Sequence, residues 1–65
     1  MFLNKEKFDV ALAVKKLTLD ELSQKAGITK QTICRIRRGD SLIPKTVGKL
    51  AEALEVDVEF LVKGE

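Results

Sequence analysis

The chain has 65 residues, of which 45% are hydrophobic and 34% are charged, and such a composition is typical of one small folded domain. It contains no histidine and a single cysteine, so it lacks the commonest general base and the side chains of a disulfide, and we expect no enzyme, no cofactor and no metal site. No segment has the roughly 20 apolar residues of a membrane span or the features of a signal peptide, which predicts a cytoplasmic protein with no membrane association.

The charges are unevenly distributed, although the net charge is only +2. Basic residues predominate between positions 29 and 49, and acidic residues predominate after position 50. This asymmetry is typical of a molecule with one side that faces nucleic acid. The plainer alternative is a pair of ordinary solvated faces.

A helix-start signal occurs four times, at Asn4, Thr18, Thr29 and Asp57. Each of these polar residues can cap a helix, and each follows an apolar residue that lies five positions before another one, as in a hydrophobic staple. Pro44, which suits the first position of a helix, marks one further start. We therefore predict an all-α bundle of five short helices within a single domain, residues 1–65. The predicted helices are 5–15, 18–26, 29–38, 45–54 and 57–62.

Glycines fall where two of these helices should end, at Gly39 and Gly64. Gly48 instead lies inside the fourth predicted helix, where it costs about 1 kcal/mol relative to alanine. Gly48 either allows two backbones to approach closely or is a tolerated weakness of the helix, and both interpretations stay open.

The predicted core consists of the apolar residues on one face of each helix. Helix one is apolar nearly all round, so Val10, Leu12 and Val14 should remain exposed after one face has met the core. This surplus indicates either a second buried surface or scattered surface aliphatics. The predicted core residues are Phe8, Ala11, Leu17, Leu22, Ile28, Ile33, Ile36, Val47, Leu50, Leu54, Phe60 and Leu61.

Residues 18–38 have the helix-turn-helix pattern, in which two short helices are joined by a sharp turn. The turn falls at Ala26-Gly27-Ile28, where glycine can take a positive φ without steric cost. The second helix of such a motif enters the major groove of DNA, and its N-terminal part contacts base edges.

The outer face of that second helix carries the candidate base-reading residues Lys30, Gln31 and Arg35. Glutamine can bond the N6/N7 edge of adenine, and lysine and arginine can bond O6 and N7 of guanine. Each side chain alone would be interpreted as merely solvated, but together they cluster on one face of the motif. The candidate contacts to the DNA backbone, which set register and carry no sequence information, are Thr18, Thr29, Thr32, Arg38 and Lys45.

From about Phe8 to Leu61 the sequence resembles the Cro and phage-repressor type of helix-turn-helix domain, as in the lambda repressor and related families. The matching residues are T-L-D-E-L-S-Q-K-A-G-I-T-K-Q-T-I-C-R-I-R-R-G, followed by I-P-K-T-V-G-K-L-A-E-A-L-E-V-D-V-E-F-L. The resemblance implies a lambda-repressor-like fold of five helices and a homodimer on a palindromic operator. It also implies base reading by Lys30, Gln31 and Arg35.

Two departures from the family pattern change the expectations. Leu19 occupies a position where the family often has a glutamine that clamps a phosphate, so that contact is in doubt. Leu12 and Arg37 occupy the positions of an ion pair that often links helices one and three. We therefore expect an apolar contact in place of the pair, and Arg37 facing solvent or DNA.

Together these features predict a sequence-specific, double-stranded-DNA-binding transcriptional regulator of bacterial or phage type, acting as a repressor and without catalysis. We expect a weak homodimer, assisted by DNA, through helix five (Val58, Leu61 and Val62) or through the apolar surplus of helix one. The alternative is a protein-interaction module, such as an antitoxin-like or repression-modulating protein. The apolar first helix and the acidic C-terminal part favour that alternative.

Overall fold

The computed structural model describes residues 1–63, which contain five α-helices and no strand beyond one isolated bridge. The predicted all-α class is confirmed, and no predicted helix boundary is more than one residue from the observed one. The predicted stop at Gly64 lies outside the described residues. The helices are α1 (Lys5–Lys15), α2 (Leu19–Ala26), α3 (Lys30–Arg37), α4 (Pro44–Leu54) and α5 (Val58–Leu61).

Local capping interactions explain why the helices begin where they do. Asn4 and Thr29 each accept a hydrogen bond at 3.2 Å from the backbone N–H three residues further on, which starts α1 and α3. Thr18 starts α2, and Pro44 is the first residue of α4. Asp57 precedes α5 as predicted, but its side chain makes no capping bond within the described part of the chain.

The core lies around α4, which packs against α1, α2 and α5. Nine of the twelve predicted core residues are buried, whereas Leu17, Ile28 and Phe60 are only half-buried against the edge of the core. The core residues that the sequence-based prediction did not include are Leu3, Leu42, Ala51 and Ala53. Within residues 1–63, no helix has the length and apolar character needed to cross a membrane.

An extended N-terminal segment closes one end of the bundle. Leu3 forms an antiparallel bridge with Val62, just after α5. The backbone N–H of Leu42, in the loop between α3 and α4, donates to the carbonyl oxygen of Met1 at 2.8 Å. These bonds carry Leu3 and Leu42 into the core, where each side chain is only 5% exposed.

The apolar surplus of α1 is present in part. Val10 and Val14 are 54% and 70% exposed, as predicted. Leu12 is half-buried against the core, so the expectation that it stays exposed is wrong. Leu61 is fully buried and cannot contribute to a dimer surface on α5, which corrects the surface expected there.

An ion pair joins α1 to α3, contrary to expectation. Nε and Nη2 of Arg37 donate to the two carboxylate oxygens of Asp9 at 3.0 and 3.1 Å. The hydrogen bonds with Asp9 raise the pKa of Arg37 above its ordinary value. The prediction that Arg37 faces solvent or DNA and that no such pair is present is therefore wrong. The acid of this pair lies on α1 and the base on α3.

A double-mutant cycle on Asp9→Ala and Arg37→Ala should give a coupling free energy of up to about 1 kcal/mol, the upper end for a half-exposed bidentate pair. The coupling should decrease as salt is added, because salt screens such charges. Urea unfolding of the four proteins measures it. The matched cycle pairs Asp9→Ala with Arg38→Ala, whose side chain is the next along the chain, and its effects should add. Additive effects in both cycles would contradict the assignment.

Gly48 lies in α4, and a Cβ atom built on its backbone meets no heavy atom of residues 1–63 within 4 Å other than those of its chain neighbours and of the backbone of its own helix. Close backbone approach inside the domain therefore does not explain this glycine. Gly48→Ala should raise the free energy of unfolding by about 1 kcal/mol, because glycine loses more backbone entropy on folding. Thermal or urea unfolding measures the change.

Gly27→Ala is the matched control for that substitution. Gly27 has a φ of +72°, where an L side chain is strained by about 1–2 kcal/mol, so this change should lower stability. A loss of stability in both variants would show that the space beside Gly48 is needed.

Candidate nucleic-acid interface

The turn between α2 and α3 is held by Ser23 together with Gly27. The carbonyl oxygen of Ser23 accepts hydrogen bonds from the backbone N–H groups of Gly27 at 2.9 Å and of Ile28 at 3.2 Å. The hydroxyl of Ser23 donates to the carbonyl oxygen of Ile28. One residue thus bonds both backbone polar groups of Ile28, which fixes the direction in which α3 leaves the turn. Sequence reasoning identified Gly27 and missed Ser23.

The structure places the three candidate base-reading residues on the exposed side of α3. Ile33 and Ile36 are 1% and 5% exposed and face the core. Because an α-helix has 3.6 residues per turn, positions 31 and 35 fall on the opposite side, and position 30 lies at the flank between the two sides. All three side chains there are exposed, and α3 itself contains no acidic residue. This surface of Lys30, Gln31 and Arg35 is called the reading face below.

Two carboxylates lie beside the reading face, and sequence reasoning missed both. Nζ of Lys30 is 3.3 Å from Oδ1 of Asp20, which belongs to the first turn of α2. Nε of Arg35 is 3.9 Å from Oδ2 of Asp40, which follows α3. All four side chains are more than half exposed, and exposed pairs of this kind contribute about 0–1 kcal/mol. Such contacts can therefore be exchanged for contacts with a ligand.

The N-terminus of α2 is already occupied by side chains of the protein. Oγ1 of Thr18 accepts the N–H of Glu21 at 3.1 Å, and Oε1 of Glu21 accepts the N–H of Thr18 at 2.8 Å. This is the reciprocal capping box predicted from the sequence. With Asp20 and Glu21 in the first turn, the positive end of the helix dipole faces carboxylates, which disfavour a phosphate.

The N-terminus of α4 offers a more suitable place for a phosphate. Its cap residue Ile43 makes no side-chain capping bond among the described residues, and the first turn has no acidic residue. Lys45 is exposed in that turn. A cation at the positive end of a helix suits an anion. Lys45 supplies most of the attraction here, because Pro44 has no N–H and the N–H groups of Thr46 and Val47 already bond the carbonyl oxygen of Ile43.

A cleft of about 180 Å³ lies between α3 and the start of α4. It brings Arg35 of the reading face and the candidate backbone contact Thr32 together with Ser41 and Thr46. Thr32 is half-buried and is bonded through its N–H and its Oγ1 to Oγ1 of Thr29. Both threonines therefore already serve the first turn of α3. Arg38, the cap residue at the end of α3, is exposed.

The comparison with known families agrees with this geometry. Residues 15–61, well over half of the chain, match the family model described as helix-turn-helix. The matched range includes α2, the turn, α3, α4 and α5. The resemblance to the Cro and phage-repressor type is confirmed by this match.

Proposed function

Because the chain belongs to the helix-turn-helix family of DNA-binding domains, we propose that it is a sequence-specific transcriptional regulator that binds double-stranded DNA. In this proposal α3 lies in the major groove, as the second helix of such motifs does. The observation that carries the proposal is the reading face, where three side chains suited to base edges are exposed outside the face that buries Ile33 and Ile36.

The chemistry of the reading face supports recognition of mixed sequence. Lys30 and Arg35 suit O6 and N7 of guanine, and Gln31 suits the N6/N7 edge of adenine. Each good bidentate contact is worth about 1–3 kcal/mol of discrimination. The bonds of Ser23 across the turn hold α3 in place, so less entropy is lost when these side chains meet DNA.

The backbone contacts of the proposed complex come mainly from around α4 and the end of α3. Lys45, at the N-terminus of α4, and Arg38 are exposed cations that suit phosphates. Thr29 and Thr32 lie at the start of α3 and suit a phosphate there. Thr18 is the weakest of the candidates, because the capping box and its carboxylates already fill the start of α2.

We propose repression as the mode of action, in which the bound protein blocks RNA polymerase at its operator without catalysing a reaction. A weak homodimer that assembles on DNA would read a palindromic operator in the bacterial cytoplasm. The exposed Val10 and Val14 of α1 support a surface for that dimer. At α5, the half-buried residues Val58 and Val62 are the remaining candidates for a dimer surface.

Substitutions should separate base contacts from phosphate contacts. Lys30→Ala or Arg35→Ala should lose about 1–3 kcal/mol of binding free energy at the selected site and relax the preference at one base position per half-site. Lys45→Ala should weaken binding to all duplexes alike. It should also reduce the slope of log K against log salt by about 0.9, the value for one phosphate contact. Selection from random duplexes followed by anisotropy titrations over a range of salt concentrations measures both effects.

Lys5→Ala, which removes the same charge from the start of α1, is the matched control and should preserve the preference for the selected site. If selection recovers no palindrome and no half-site, the proposal of sequence-specific binding is wrong. If Lys30→Ala and Lys45→Ala behave identically, α3 is not the reading helix.

A protein-interaction module is the second candidate, because the exposed Val10 and Val14 suit a different protein as well as a second copy of this chain. In that case DNA binding should be weak at moderate salt, and the product of a neighbouring gene should co-purify with the chain. Solution mass measured with and without a selected duplex distinguishes the two candidates. The regulator should give a complex of two copies per duplex, whereas the interaction module should leave the duplex unbound.

A further inference from the structure

Each of the three cations of α3 lies within ion-pair distance of a carboxylate from a different part of the fold. The pair of Arg37 links α3 to the body of the domain, whereas the other two pairs lie at the reading face. From this arrangement we propose that Asp20 and Asp40 determine specificity by keeping Lys30 and Arg35 from phosphates of non-cognate DNA. The inference rests on the proposed function and concerns residues outside the reading face.

Backbone interactions place Asp20 and Asp40 close to their partners. Asp20 lies in the first turn of α2 and Lys30 at the start of α3, and the bonds of Ser23 across the turn set the distance between these helices. The backbone N–H of Asp40 donates to the carbonyl oxygen of Arg35 at 3.1 Å. In both pairs, backbone hydrogen bonds therefore hold the two residues close together, in addition to the contact between their side chains.

The expected effect differs between cognate and non-cognate duplexes. On a non-cognate duplex a lysine or arginine gains by binding any phosphate and releasing a counterion. The adjacent carboxylate competes for the same cation and repels the phosphate, so this gain is reduced. On the cognate duplex, O6 and N7 of guanine are uncharged acceptors that the carboxylate does not repel. A lysine with three donors or an arginine with five can bond them while it keeps its pair with the carboxylate. Specificity is the difference between the affinities for the cognate and the non-cognate duplex. The carboxylates increase it because they lower the affinity for the non-cognate duplex.

Asp20→Asn and Asp40→Asn test the inference separately. Each should raise the affinity for a scrambled duplex about fivefold, the upper limit for an exposed ion pair. The slope of log K against log salt for that duplex should become steeper by about 0.9, since one more phosphate is contacted. Affinity for the selected duplex should change less than about twofold, so the ratio of the two affinities falls. Anisotropy titrations of both duplexes at several salt concentrations give all of these values.

Glu52→Gln removes the same charge from the C-terminal half of α4 and is the matched control. It should shift both duplexes by one common factor. In a Lys30→Ala background, Asp20→Asn should have no greater effect than Glu52→Gln, because the partner through which Asp20 acts is gone. Thermal melting of each variant confirms that it is folded at the temperature of the titrations.

The outcomes separate this inference from the function on which it rests. If the parent selects a site but Asp20→Asn and Asp40→Asn raise both affinities equally, the carboxylates act only through net charge and the inference is wrong. The same holds if the effect of Asp20→Asn persists without Lys30. If the parent prefers no sequence at all, the inference and the proposed function are both overturned.

Discussion

The hydrogen bonds of Ser23 at the turn after α2 are the constraint on which the rest of the interface depends. α3 has eight residues, and a helix of that length is not stable alone in water. Its position comes from burial of Ile33 and Ile36 and from the turn, where Gly27 takes a conformation that other residues adopt only with strain. A shift in that turn would move the reading face and separate Lys30 from Asp20 at the same time.

The helices were predictable because their start signals are local. A cap such as Thr29 and its bonded N–H lie three residues apart, so a short stretch of sequence contains both partners. The pair of Asp9 and Arg37 spans 28 positions, and no local pattern connects them. The expectation for Arg37 failed because it was taken from a family position, whereas the bond comes from a carboxylate three residues before Leu12.

The exposure of the candidate base-reading residues was predictable for the same reason, because it follows from a local pattern. Helical periodicity identified the outer face of α3, since Ile33 and Ile36 specify which side is buried. It could not identify Asp20 or Asp40, because their positions depend on how α2 and the loop after α3 approach that face. Leu42 was missed as a core residue because it lies in a loop, where an apolar residue has no periodic neighbours.

The bridge between Leu3 and Val62 also bears on how the domain is made in the cell. The segment that contains Leu3 leaves the ribosome before α5, and its bridge partner Val62 is translated almost sixty residues later. Until then the nascent chain has no partner for Leu3, and α1 has no α5 against which to pack. The packing of α1 against α5 and the bridge of Leu3 therefore form only after this part of the chain has been translated, so folding is not completed progressively from the N-terminal side.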